Sequence, residues 1–177
     1  MKHGFIKVAA ATTKVTVADC RANGEEILKA VRAMEEKNVK LMVFPEFCIT
    51  GYTCHDLFLQ RCLLDSAWNE LLHIAQETKD TDALIFVGLP VRHRGKLYNV
   101  AAALNHGKIV GLVPKTHIPN YNEFYEQRQF TGAQPEDLEF VDFMKNAADD
   151  EDEFYDEIPF GTEVIFECEE NPEFTVA

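Results

Sequence analysis

An apolar run closed by a proline, Leu41-Met42-Val43-Phe44-Pro45, places Glu46 at the end of a strand. Proline has no N–H to give to a ladder, so a buried strand of this kind stops there. In open α/β sheets active sites collect at strand ends, and a carboxylate in that position is a candidate for chemistry. The arrangement recurs further on, where Val113-Pro114 closes an apolar run and Lys115 follows.

The segments around these two points alternate in type. Residues 5–11 read as a first, largely buried strand. Asp19 can cap a helix running to Asn38, with Ile27, Val31 and Met34 on one stripe. Strand, helix and strand in this order predict a crossover unit and an α/β fold. Residues 47–56 are rich in turn formers, with Gly51 available for a positive φ, and are expected to form a pocket wall. A second helical pattern turns Leu64, Trp68, Leu71, Leu72 and Ala75 inward and Glu70, Gln76, Glu77 and Lys79 towards water, with Trp68 in the core. Residues 83–89 form an unbroken apolar run closed by Pro90, a further buried strand. The basic turn at 92–96 reads as a solvated hairpin tip. Residues 98–104 and 108–113 read as two strands around the turn Asn105-His106-Gly107. Residues 118–130 are aromatic and polar, a short helix or a loop. Residues 161–168 alternate like a strand, and 174–177 look like the start of another.

Composition bounds the function. Apolar residues make up 46% of the 177 and charged ones 27%, enough to bury a core. The net charge of −13 is uneven, because from Glu136 onward there are 16 acidic residues and one basic. That argues against nucleic acid or an anionic membrane as partner. The acidic segment, about 142–157, should repel itself and be mobile. Five cysteines, with no CxxC pair and no signal peptide before them, predict reduced thiols in a soluble cytoplasmic protein. No apolar stretch approaches the roughly 20 residues of a membrane span. The six histidines show no HxH or HExxH spacing, so no metal site is expected.

Glu46 and Lys115, each just after a proline-terminated strand, would meet if their strands were parallel neighbours. A carboxylate held beside an ammonium stays charged yet can accept a proton from a thiol or water. A fixed lysine can also stabilise an oxyanion. These are two parts of a thiol amidase whose third part is a cysteine nucleophile.

Val43-Phe44-Pro45-Glu46 with Gly51-Tyr52, then Val113-Pro114-Lys115, then the stretch Pro119-Asn120-Tyr121-Asn122-Glu123-Phe124-Tyr125-Glu126 with Arg128, resemble the nitrilase superfamily. The last stretch is similar to the glutaminase domains of glutamine-dependent NAD synthetases. The resemblance implies an incomplete αββα sandwich, with residues 1–177 forming part of a carbon-nitrogen hydrolase domain. It makes Glu46 the base, Lys115 the oxyanion stabiliser, Glu126 a supporting glutamate and Tyr121 part of the glutamine pocket. It also implies an oligomer when intact and a synthetase domain, absent here, that would use ATP and Mg.

The family's cysteine begins an Ile-Cys-Glu-Asp-like sequence, which this chain lacks. Cys168 is flanked by Glu167, Glu169 and Glu170, which oppose thiolate formation, and Cys48 and Cys54 read as buried or loop thiols. The expectation is therefore a chain that stops a few residues short of its nucleophile and is inactive alone. The alternatives are a stand-alone nitrilase-type amidase and a non-catalytic acidic interaction module.

Overall fold

The computed structural model describes residues 5–137, 139–141 and 157–177. The first crossover forms as expected, and a second follows it. β1 (Val8–Ala10) lies parallel to β2 (Leu41–Val43), and β2 lies parallel to β3 (Leu84–His93). Helix α1 (Cys20–Glu35) links the first pair and α2 (Arg61–Glu77) the second. Asp19 caps α1 by accepting the Ala22 N–H at 3.0 Å. Three further strands, β4 (Lys96–Asn105), β5 (Lys108–Pro114) and β6 (Glu139–Val141), precede β7 (Ile158–Phe160). The sheet order is β1-β2-β3-β4-β5-β7-β6. Both hairpin turns use two residues of positive φ, Arg94-Gly95 and His106-Gly107, which match the twist of the strands they join.

The two faces of this sheet differ. Helix α2 packs on one face, against β3 and β5, and α1 packs on α2. Met42, Ile85, Val87, Leu104 and Leu112 belong to the buried core there. The opposite face carries Phe86, Ala103 and Gly111, aligned across β3, β4 and β5 by register. Over it lies a small antiparallel sheet of β8 (Phe166–Cys168) and β9 (Asn171–Val176). The Phe166 ring meets Phe86 edge-on at 5.3 Å, and a Cβ on Gly111 would lie 2.8 Å from it. The result is a mixed α/β fold, a helical layer and a small sheet on opposite faces of a central sheet, in the αββα style. Towards the β1 edge the second face is bare, with Val8 and Val43 exposed.

Several expectations are corrected. β1 is a short, half-exposed edge strand rather than a largely buried one over 5–11. Pro90 does not close β3, which continues to His93 with Pro90 paired to Asn99. β2 lies beside β3 only as far as Phe86, and although Cys48 and Ile49 bond to Gly88 beyond that point, no strand pairs with that side of Pro90, where proline is tolerated. Residues 161–165 are bends and irregular chain rather than strand, and β9 begins at Asn171. Trp68 is partly buried against the core. Apart from Glu157, the acidic segment 142–157 lies outside the described residues.

Glu70 is also corrected: it is buried on α2 rather than facing water. Its carboxylate sits against Gly24 of α1, where a Cβ would come within 1.8 Å of Oε1. Oε1 is buried there without a hydrogen bond. Burial pushes the Glu70 carboxyl above the ordinary carboxylate range, against the smaller opposing effects of His73 and Arg21. A raised folded-state value means that the contribution to stability is full below the unfolded-state value and is lost as pH rises through the folded one. The melting temperature is therefore expected to fall more between pH 4 and pH 8 for the native chain than for Glu70→Gln. Parallel curves in thermal melts would contradict this.

Candidate active site

The site begins where β2 ends. From Pro45 the chain crosses over β3 in a tight turn: Cys48 N–H donates to the Pro45 carbonyl at 3.1 Å, and Ile49 N–H to the Gly88 carbonyl at 3.3 Å. This passage needs glycine below it. A Cβ at Gly88 would lie 2.6 Å from the Phe47 nitrogen and 2.8 Å from the Pro45 oxygen. Phe47, at the crest, has φ +51, a conformation that non-glycine residues adopt at a cost. Its ring is held between Phe58 at 4.9 Å and Phe130 at 5.0 Å.

The crossing carries Glu46 to Lys115. Lys115 Nζ donates to Glu46 Oε1 at 2.7 Å and stands 3.5 Å from Glu126 Oε2. The expected route was different. β2 and β5 run in the same direction, but β3 and β4 lie between them. The two side chains meet because the 45–47 turn steps over β3 and Lys115 reaches back from the end of β5. Glu126 belongs to a 3-10 turn, Glu126–Arg128, within a stretch that is otherwise loop.

Two residues join this cluster that the sequence reading left without a role. Tyr52 O–H donates to Glu126 Oε1 at 2.6 Å. Burial, and then that hydrogen bond, push its phenol above the ordinary tyrosine value, so it stays protonated. Gly51-Tyr52 was part of the recognised pattern, and that was its signal. Asn99, a polar residue within the otherwise apolar β4, donates from Nδ2 to Glu46 Oε1. An amide inside an apolar strand was the signal available for it.

A hollow of about 440 Å³ adjoins the cluster through Tyr52 and Glu126, with His55, Asp56, Glu123, Phe124 and Arg128 among its walls. The turn-rich stretch after Phe47 therefore does form a wall. Arg128 Nη2 and Gln129 Nε2 donate to Asp56 at 2.9 and 3.1 Å, joining the wall's two halves. Tyr121 is exposed and does not itself line the hollow, but its ring packs against Phe124 at 5.4 Å. A larger hollow of about 660 Å³ at the start of α1 shares no residue with the cluster.

Asn99 and Lys115 are the hydrogen-bond donors to Glu46 among the described residues, and no thiol joins them. Burial pushes the Cys48 thiol up to about 12, and its sulfur accepts the Gly88 N–H at 3.2 Å. Cys20 is likewise pushed up to about 12 by burial. Cys54 is raised too, and its thiol donates to the Thr50 carbonyl. These are structural thiols. No cluster of metal-binding side chains occurs among the described residues, nor any helix long and apolar enough to cross a membrane.

A carboxylate–lysine–carboxylate cluster at the strand ends of such a sheet defines a class, and comparison with known proteins agrees: the chain belongs to the carbon-nitrogen hydrolase family, which matches residues 7–154. Among its relatives, the glutamine-dependent NAD(+) synthetase of Mycobacterium tuberculosis is 37% identical over 175 residues, covering 99% of this chain and 24% of that protein. The Aquifex aeolicus protein of the same name is 33% identical over 71% of this chain and 22% of its own length. The crystal structure of a glutamine-dependent NAD(+) synthetase from Cytophaga hutchinsonii superposes with a TM-score of 0.79 at 30% identity, over 93% of this chain and 26% of that one. An amidase from Nesterenkonia sp. shares the fold, with a TM-score of 0.64 at 18% identity, over 82% of this chain and 54% of its own. The chain thus spans about a quarter of the length of the synthetases it matches.

The Gly88 notch gives a direct test of the site's construction. Gly88→Ala should force the 45–47 turn off β3, destabilise the fold by about 1–3 kcal/mol in denaturant titration, and lengthen the Glu46–Lys115 contact in a crystal structure. An unchanged contact at unchanged stability would contradict the notch.

Proposed function

We propose that these residues are the base-and-lysine part of a glutaminase that supplies ammonia for NAD synthesis in a larger protein. The observation that carries this reading is Lys115 Nζ at 2.7 Å from Glu46 Oε1, with Glu126 behind it at the edge of a hollow. Glu46 takes the proton of a cysteine thiol as the sulfur attacks the amide carbon of glutamine. Lys115 faces the oxyanion that forms, and Glu126, held by Tyr52, keeps the lysine in place. The carbon–nitrogen bond breaks, ammonia leaves with the proton returned by Glu46, and water then releases glutamate from the thioester. Tyr121 and Phe124 flank the entry of the substrate.

The nucleophile is a cysteine supplied from outside these 177 residues, so the chain alone is inactive. Supporting this, Cys20 and Cys48 hold their protons and no thiol touches Glu46. The synthetase domain lies elsewhere in the whole protein, where ATP and Mg act and the ammonia is consumed. The whole protein is a homo-oligomer, as the resemblance implies, and works in the reducing cytoplasm, with which five free cysteines are in keeping.

The test is glutamate release from glutamine. The whole protein should be active, Glu46→Gln should lower kcat by about a hundred- to ten-thousand-fold, and the 177-residue chain should release none. Release by the isolated chain, or activity in the whole protein that survives Glu46→Gln, would overturn the reading.

A further inference from the structure

Asn99 is 4% exposed, in the part of β4 that pairs with β3 around Pro90. A buried amide within a strand costs stability unless its polar atoms are matched. It makes two contacts that meet at one place. Its side-chain Nδ2 donates to Glu46 Oε1, and its main-chain carbonyl accepts the Lys115 N–H at 2.8 Å. One residue therefore touches both partners of the cluster's ion pair, which follow the ends of strands that are not neighbours.

Both donors to Glu46, Asn99 Nδ2 and Lys115 Nζ, converge on the same oxygen, Oε1. Among the described residues no hydrogen bond is made to Oε2, and the side chain keeps 38% of its surface open. We propose that Asn99 is a positioning residue that fixes Glu46 through Oε1, so that Oε2 is the oxygen that takes the proton. This rests on Glu46 being the general base. An anchored Oε1 sets the rotation of the carboxylate, and a misplacement of about 1 Å at such a group can cost on the order of a hundredfold in rate. Lys115 alone does not fix that rotation, because one ammonium contact to a single oxygen leaves the carboxylate free to turn about it.

The test compares Asn99→Asp and Asn99→Ala in the whole protein, assayed for glutamate release across pH. Asn99→Asp keeps the shape and the main-chain bond to Lys115 but sets an acceptor against Glu46 Oε1. At pH 8 its kcat should fall by about a hundredfold with KM nearly unchanged. As pH is lowered and one proton is shared between the two carboxyls, the donor returns and the deficit should shrink. Asn99→Ala should lose activity at every pH. A native kcat in both variants, or an Asn99→Asp deficit that does not change with pH, would overturn the proposal. A whole protein without any glutaminase activity would overturn the proposed function instead. The anchoring is then read in a crystal structure of the Asn99→Ala whole protein, where the Glu46 carboxylate should turn from the orientation it holds beside Asn99; an unturned carboxylate would refute it.

Discussion

The passage of the chain over Gly88 is the constraint on which the site depends. Three strand spacings separate β2 from β5, roughly 14 Å at the usual interstrand distance, more than an extended glutamate and lysine can close comfortably from fixed strand ends. The missing side chain at Gly88 lets the 45–47 turn cross β3, from where the Glu46 side chain reaches Asn99 of β4. The turn is then pinned from two sides. Phe47 is packed between Phe58 and Phe130, and the Cys48 sulfur and Gly88 exchange contacts beneath it. The unfavourable φ of Phe47 persists because these contacts leave it no alternative.

The ion pair itself adds little to stability. Lys115 and Glu46 keep 33% and 38% of their side-chain surface, and pairs this exposed contribute about 0–1 kcal/mol. Its value is geometric. The lysine stands between two carboxylates of different character: Glu126 is 9% exposed and tied to Tyr52, whereas Glu46 is open to the space in front of it. The buried carboxylate can hold and the open one can react. This difference follows from burial.

The parts of the fold visible in the sequence were those marked by local chemistry. Pro45 and Pro114 marked the two strand ends, and the turn glycines and the apolar stripe of α1 marked the hairpins and first helix. What stayed hidden depends on neighbours distant in sequence. Glu70 reads as a solvent-facing helix residue until α1 presents Gly24 opposite it. Pro90 reads as a stop until β2 ends early and leaves no strand to pair with that side of Pro90. Asn99 and Gly88 look like interruptions in apolar strands, and their meaning appears only once Glu46 lies against them. That Glu46 and Lys115 meet was legible, but the route that joins them was not, because parallel neighbouring strands were the simpler geometry.

The central claim is that Glu46, Lys115 and Glu126 form a cluster waiting for a thiol. The measurement that addresses it most directly is a crystal structure of the whole protein. The account predicts a cysteine sulfur, from outside residues 1–177, within reach of both Glu46 Oε2 and Lys115 Nζ at the edge of the hollow. A cluster closed over by other side chains, with no cysteine beside Glu46, would contradict it.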